Sequence, residues 1–238
     1  MLPFLFLWDV DGTLLRTHGI GMGAMARASC RLFGAAFTWD GIDAAGGLDP
    51  LLFAEATTRN GVADAHQHHQ SFHDYYIEEL RAELERRRHQ VELLPGILAA
   101  LALLRQREAE RGDVVLGLLT GNYAKATPLK LAAAGIDLAW FGITAMGDEA
   151  PSRPDLVALA LRKYAARFGA AAAPRRVAVI GDTPRDIACA HAHGCVAVGV
   201  ATGRFSVAEL YAAGAEVAVA DFADPAPLLA LLEVMGAG

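Results

Sequence analysis

Short apolar runs rich in Val, Leu and Ile recur along the chain, and they are continuous rather than alternating. They are LFLWDV (5–10), VVLGLLT (114–120), WFGITAM (140–146), RVAVIGD (176–182), CVAVGVAT (195–202) and, more weakly, AEVAVA (215–220). Continuous hydrophobicity is what a strand shows when helices cover both faces of its sheet, so these runs predict buried parallel strands. Helix-like stretches lie between and after them at 122–134, 154–168, 184–193, 206–213 and 224–235. Strand and helix alternating at this spacing predict a doubly wound, mainly parallel, Rossmann-like α/β sheet.

The rhythm breaks between about residues 14 and 93. That interval has no convincing strand and reads as helix over 20–33, 49–60 and 65–89, where Phe72, Tyr76, Leu80 and Leu84 recur at helical spacing. Gly46, Gly47 and Pro50 mark a loop inside it, and Pro95-Gly96 marks the return to the α/β body. The expected organisation is therefore a core of 1–13 and 94–238 with an inserted α-helical cap domain over 14–93. Inserted directly after the first strand, the helices would sit over the strand ends.

Ligands of such sheets bind at the carboxyl ends of the strands. Three of the predicted strands run into polar residues there: Asp9 with Asp11, Thr120, and Asp182. For Asp11-Gly12 the structural alternative is a turn signal, and for Asp186 it is a capping box with Thr183 ahead of Pro184. Asp182 has no such alternative. Two carboxylates about 4 Å apart repel by roughly 4 kcal/mol at an effective dielectric near 20, so the cluster calls for a cation or a shared proton. Oxygen donors without a Cys or His cluster favour Mg2+, the usual companion of a phosphoryl group. Thr120 and Gly121 offer a hydroxyl and an unobstructed backbone to a phosphate, unless Thr120 or Asn122 merely caps the helix that follows. Arg153, before a helix, would supply a fixed positive charge.

Composition narrows the partners. The chain has 238 residues, 54% of them hydrophobic, and a formal net charge of -6, which argues against nucleic acid or an anionic membrane as partner. Cys30, Cys189 and Cys195 form no CxxC pair, so a reducing compartment is expected, and the apolar N-terminus is cut by Asp9 too soon for a signal peptide or membrane span. The expectation is a cytoplasmic protein, either monomer or homodimer.

Four motifs in order, DVDGT (9–13), LLTGN (118–122), SRPD (152–155) and GDTPRD (181–186), resemble those of the haloacid dehalogenase-like hydrolase superfamily. The match is to the phosphoglycolate-phosphatase-like branch with a helical cap, and GGLDP (46–50) looks like that cap's substrate-facing loop. The resemblance implies a Mg2+-dependent phosphatase acting on a small phosphorylated metabolite. Asp9 would be the nucleophile and Asp11 the acid and base. Asp9, Asp182 and the Asp11 carbonyl would ligate the metal, with Asp186 in its outer shell. Thr120 and Arg153 would hold the phosphate, with Gly12, Gly121 and Asn122 beside it. The third motif usually carries Lys, and Arg153 in its place brings Lys130 forward as an alternative source of that charge. Asp11 sets the chain apart from halide-displacing members, whose leaving group needs no proton. The alternatives are a phosphomutase of the same superfamily and a signalling protein that accepts phosphate without turnover.

His66, His68, His69 and His73 read as a solvated helix face in preference to a metal site, and Arg86, Arg87 and Arg88 as cations near a helix C-terminus. Arg204 follows a strand end and is within possible reach of a substrate.

Overall fold

The chain, described over residues 2–236 in this computed structural model, enters on β1 (Phe4–Trp8), all of it buried. β2 (Leu15–Arg16) follows, then α1 (Ile20–Phe33), α2 (Asp49–Arg59) and α3 (Ala65–Arg86). β3 (Glu92–Leu93) ends this excursion by pairing antiparallel with β2, so the two ends of the helical segment are tied together. The rest alternates: α4 (Ile97–Arg111), β4 (Val114–Leu119), α5 (Thr127–Ala133), β5 (Ile143–Ala145), α6 (Arg153–Phe168), β6 (Val177–Gly181), α7 (Pro184–His191), β7 (Val196–Val200), α8 (Val207–Ala212), β8 (Val217–Val219) and α9 (Ala226–Gly236).

Six strands form one parallel sheet in the order β5-β4-β1-β6-β7-β8. After β5 the chain crosses to the far side of β1, so the winding reverses beside β1, where α/β sheets bind ligands. Alternate residues of each strand feed opposite cores. Phe6, Trp8, Leu116, Leu118 and Ile180 join one cluster, while Leu5, Leu7, Val115, Leu119 and Val179 join the other. Burial on both faces is the cause of the continuous apolar runs. A third cluster holds α1, α2 and α3 together through Ile20, Met25, Phe53, Phe72 and Tyr76, and reaches Tyr123 and Ala126 in the loop after β4.

Four elements differ from the sequence reading. Helix α4 had no counterpart, although its buried Ile97, Ala100, Leu101 and Leu104 stand at helical spacing. β2 and β3 are two residues each, too short for any periodicity to reveal. Helix α5 begins at Thr127 rather than 122, because residues 120–123 spend their polar groups on the site described next. Among the described residues, no helix is long and apolar enough to cross a membrane.

Candidate active site

β1 delivers Asp9 to the sheet edge. Its amide still bonds Ile180 O at 2.9 Å, so the ladder holds the residue in place after the strand ends. The chain then turns through Gly12 at φ +79°, where a Cβ would stand 2.5 Å from Asp182 Oδ2. Glycine is needed there for its left-handed backbone and for the close approach of the β1 and β6 loops. The turn signal read at Asp11-Gly12 is thus present, and it sits at the sheet edge beside Asp182.

Asp9, Asp182 and Asp186 each present a carboxylate oxygen within 4.8 Å of the others, and all three are buried. Crowding and burial act on them. Burial, followed by the neighbouring Asp9 and Asp186, pushes the Asp182 carboxyl up to about 8. Burial raises Asp9 to about 6 even though Arg153 pulls it down. Thr13 Oγ1 donates to Asp182 Oδ1 at 3.4 Å.

Asp186 divides its two oxygens between a helix cap and a cation. Its Oδ2 accepts from Thr183 N at 3.0 Å and Thr183 Oγ1 at 2.7 Å, closing the capping box of α7. Its Oδ1 takes Arg153 Nη2 at 2.5 Å and Nε at 3.1 Å. Arg153, 6% exposed, also stands 3.1 Å from Asp9 Oδ2 and donates to Gly46 O at 3.2 Å. Its position comes from the start of α6, capped by Ser152.

A second group lies on the β4 side. Asn122 Nδ2 donates to Asp11 Oδ2 at 2.7 Å and to Thr120 Oγ1 at 2.9 Å. Thr120 and Asn122 therefore do not cap α5, whose N-cap is Ala126 without a side-chain bond. Lys130, 4% exposed, donates to Asp11 Oδ2 at 2.6 Å and Asn122 Oδ1 at 2.5 Å. Burial works against its charge, but Asp11 and Asp49 outweigh it and hold its pKa above the usual lysine value. The site thus has two buried cations, with Arg153 beside Asp9 and Lys130 beside Asp11. The Gly12 amide is committed to Leu15 O at 2.9 Å, so it is not a free donor, whereas the Gly121 amide bonds no described residue.

The loop before α2 closes the cavity from the helical side. Asp49 N bonds Gly121 O at 2.8 Å, and Asp49 Oδ2 accepts from Tyr123 N at 2.9 Å. A Cβ on Gly121 would collide with the Gly47 carbonyl, so only glycine admits this loop. The cavity has a volume of about 250 Å3, with Asp9, Asp11, Thr120 and Arg153 on one side and Asp49 and Tyr76 on the other. Burial raises the Asp49 carboxyl to about 7 against the pull of Lys130. Sequence reasoning missed Asp49 and Tyr76 as cavity residues. The first lay inside a loop already marked as substrate-facing, and the second was absorbed into an apolar helix face.

The weaker signals resolve individually. His69 Nε2 meets Tyr123 Oη at 2.9 Å and His73 is buried against the same ring, so these two are packing residues and not a solvated face. Among the described residues no histidine joins a metal-ligand group. Arg86 and Arg87 pair with Glu83. Arg204 reaches Asp43 Oδ1 at 2.9 Å instead of the cavity.

The arrangement can do two things chemically: hold a hard cation among oxygen donors, and hold an oxyanion between Arg153 and the Thr120–Gly121 turn. Comparison with known proteins bears on it. The chain is similar in structure to a hydrolase from Pseudomonas syringae, with TM-score 0.70 and 22% identity over 97% of this chain and 98% of that one. It is also similar to CbbY from Rhodobacter sphaeroides, solved in complex with phosphate, with TM-score 0.69 and 23% identity over 94% and 96%. A third likeness is to a predicted phosphoglycolate phosphatase from Haemophilus somnus 129PT, with TM-score 0.64 and 20% identity over 96% and 99%. At these identities the likeness shows a shared fold. Comparison with curated protein sequences returns no match. The profile of one family, described as haloacid dehalogenase-like hydrolase, matches residues 6–191, and the chain belongs to that family.

Proposed function

We propose that the chain is a Mg2+-dependent phosphatase that hydrolyses a small phosphomonoester through an aspartyl-phosphate on Asp9. The observation that carries this reading is the gathering of Asp9, Asp182 and Asp186 within 4.8 Å at the sheet edge, beside buried Arg153. In the same reading residues 14–93 are a cap on a core of 1–13 and 94–238, supported by the contacts of the 46–49 loop with Gly121 and Arg153.

The residues present fit the metal. The donors are oxygens only, and nearby carboxylates outnumber Lys130 and Arg153, which leaves negative charge for a divalent cation to balance. Asp9 and Asp182, with the Asp11 carbonyl, would hold Mg2+, whose charge offsets that of the phosphoryl oxygens. Asp186 stands behind these ligands with its oxygens spent on Thr183 and Arg153. Asp9 attacks phosphorus, and the bond to the leaving oxygen breaks as Asp11 gives that oxygen its proton. Water then attacks phosphorus and returns a proton to Asp11. The bond between Asp9 and phosphorus breaks, and inorganic phosphate leaves. Lys130 and Asn122 both hold Asp11 Oδ2, which leaves Oδ1 for the proton transfer.

The direct test is phosphate release from a panel of monoesters with and without Mg2+. Metal-dependent release supports the reading. Isomerisation of a sugar phosphate without net release would replace it with a mutase, and a long-lived phospho-form would replace it with a signalling role.

Lys130→Met should lower kcat on alkyl phosphates by about 10²-fold, the usual scale of assisted proton transfer, with KM little changed. The loss should be much smaller on p-nitrophenyl phosphate, whose leaving group needs no proton. Equal losses on both would mean that Lys130 only supports packing.

Metal removal should expose the crowded acids. Asp9 and Asp182 titrate near 6 and 8 in the fold against an ordinary 3.8, so the folded state holds protons that the unfolded chain has released. That contribution is complete below the unfolded value and is lost as pH rises through the folded ones. The chelated protein should therefore melt lower at pH 8 than at pH 5, and the stabilisation by added Mg2+ should be larger at pH 8. Thermal scans at the two pH values, with EDTA and with Mg2+, decide it. A metal increment no larger at pH 8 would show that these acids do not hold the ion.

A further inference from the structure

We infer that the ester accepted here has a compact, uncharged, hydroxyl-bearing leaving group held between Tyr76 and Asp49, and not one bearing a carboxylate or a second phosphate. The inference rests on the phosphatase reading above and adds the substrate class.

Tyr76, on α3, is fully buried and lines the cavity, yet its hydroxyl has no hydrogen-bond partner among the described residues. Buried polar groups left without partners are few in folded proteins and need an explanation. A Cβ on Gly21 would stand 3.4 Å from Lys130 Nζ and 3.9 Å from Tyr76 Oη, so this hydroxyl and the Asp11–Lys130 pair flank one glycine. Burial, with Asp49 and Asp11 nearby, keeps the phenol protonated and therefore a donor. Asp49 has one oxygen on the Tyr123 amide, and its other oxygen bonds no described residue. The cavity thus offers an unfilled donor from α3 and an unfilled acceptor from the first residue of α2. A hydroxyl, which donates and accepts, satisfies both.

Charge excludes the anionic alternative. The cations lining the cavity are Lys130 and Arg153, and both are engaged, Lys130 with Asp11 and Arg153 with Asp9 and Asp186. Arg185 and Arg204 do not line the cavity: Arg204 pairs with Asp43, and Arg185 is held by Asp43 and by the carbonyl of Ala45 in the cavity wall. A second anionic group would stand beside Asp49 and Asp11 with no uncommitted lining cation to balance it. Met22, Met25 and Leu52 give the carbon skeleton an apolar wall. A cavity of about 250 Å3 that also takes the phosphoryl group favours a small leaving group.

The test compares kcat/KM for four esters of similar reach: 2-hydroxyethyl, ethyl and 2-aminoethyl phosphates and 2-phosphoglycolate, with p-nitrophenyl phosphate as a generic ester. The 2-hydroxyethyl ester should lead ethyl phosphate and 2-phosphoglycolate by about tenfold or more, the scale of a hydrogen-bonded group at a matched site. Tyr76→Phe should bring the ratio of 2-hydroxyethyl to ethyl phosphate close to one, whereas a general packing defect lowers both esters and leaves their ratio. Preference for 2-phosphoglycolate or for the aminoethyl ester would overturn the inference, as would an unchanged ratio in Tyr76→Phe. Turnover of p-nitrophenyl phosphate without preference among the others removes this inference and leaves the phosphatase. Turnover of none, p-nitrophenyl phosphate included, removes the phosphatase reading and the inference with it.

Discussion

Asp9→Asn is expected to abolish phosphate release while leaving a folded protein. The amide keeps the size and shape of the side chain but not the charge that attacks phosphorus, so kcat should fall by on the order of 10⁴-fold or more. The effect on stability should run the other way. Asp9 is 5% exposed, and its carboxyl is raised to about 6 by burial and by neighbouring Asp186 and Asp11 in spite of Arg153. Above that pH the native fold carries the cost of the charge, and the amide removes it. The metal-free variant should melt no lower than the parent at pH 8, a site in which function is kept at the expense of stability. Phosphate release and thermal scans on the same preparation test both halves. A variant that still turns over at the parent's rate would end the aspartyl-phosphate proposal.

Arg153→Met carries the largest expected loss of stability. The guanidinium is buried between Asp186 at 2.5 Å and Asp9 at 3.1 Å, and a third arm reaches the Gly46 carbonyl at 3.2 Å. Methionine fills part of the volume but leaves two acids facing one another without a cation. Breaking a buried pair by removing one partner costs about 3–5 kcal/mol, most of it the uncompensated charge left behind. Urea unfolding of the chelated protein should show a loss of that size. The Arg153→Lys variant should recover much of the stability, because charge returns. It should recover less of the activity, because one ammonium cannot span Asp186, Asp9 and the Gly46 carbonyl together. A methionine variant as stable as the parent would mean that the arginine is not what keeps Asp186 and Asp9 buried.

Much of the fold was legible because its causes are local. Leu5 to Trp8 are apolar without interruption since odd and even residues enter different cores, and that pattern is visible in the chain itself. The same holds for the ends of β1, β4 and β6, where Asp9, Thr120 and Asp182 break the apolar runs at one edge. Helix α4 is legible in the same way, through Ile97, Ala100, Leu101 and Leu104 at helical spacing. The β2–β3 pair was not legible. Two residues carry no period, and the pairing of Leu15 with Leu93 joins positions that only the completed fold makes neighbours.

The candidate site divides in the same way. Residue types and their order placed two acids after β1, a Thr-Gly-Asn turn after β4 and an acid pair around the start of α7, because each is a short segment whose chemistry is written in adjacent letters. The division of the two cations was beyond that reach. The sequence offered Arg153 or Lys130 for one role, and the structure gives each its own carboxylate, Asp9 and Asp11 respectively. Lys130 reaches Asp11 only because β4 lies beside β1 and α5 starts late enough to bring its first turn over the loop. Tyr76 carried a stronger disguise. At helical spacing a buried tyrosine and a buried phenylalanine look alike, and its role hangs on whether the hydroxyl finds a partner. By itself, then, the sequence determined the layered α/β architecture and the edge on which polar residues collect, since burial and strand period act between near neighbours. The tertiary structure alone decided which charges pair, which donor is left unfilled and what closes the cavity, since those depend on distances between segments far apart in the chain.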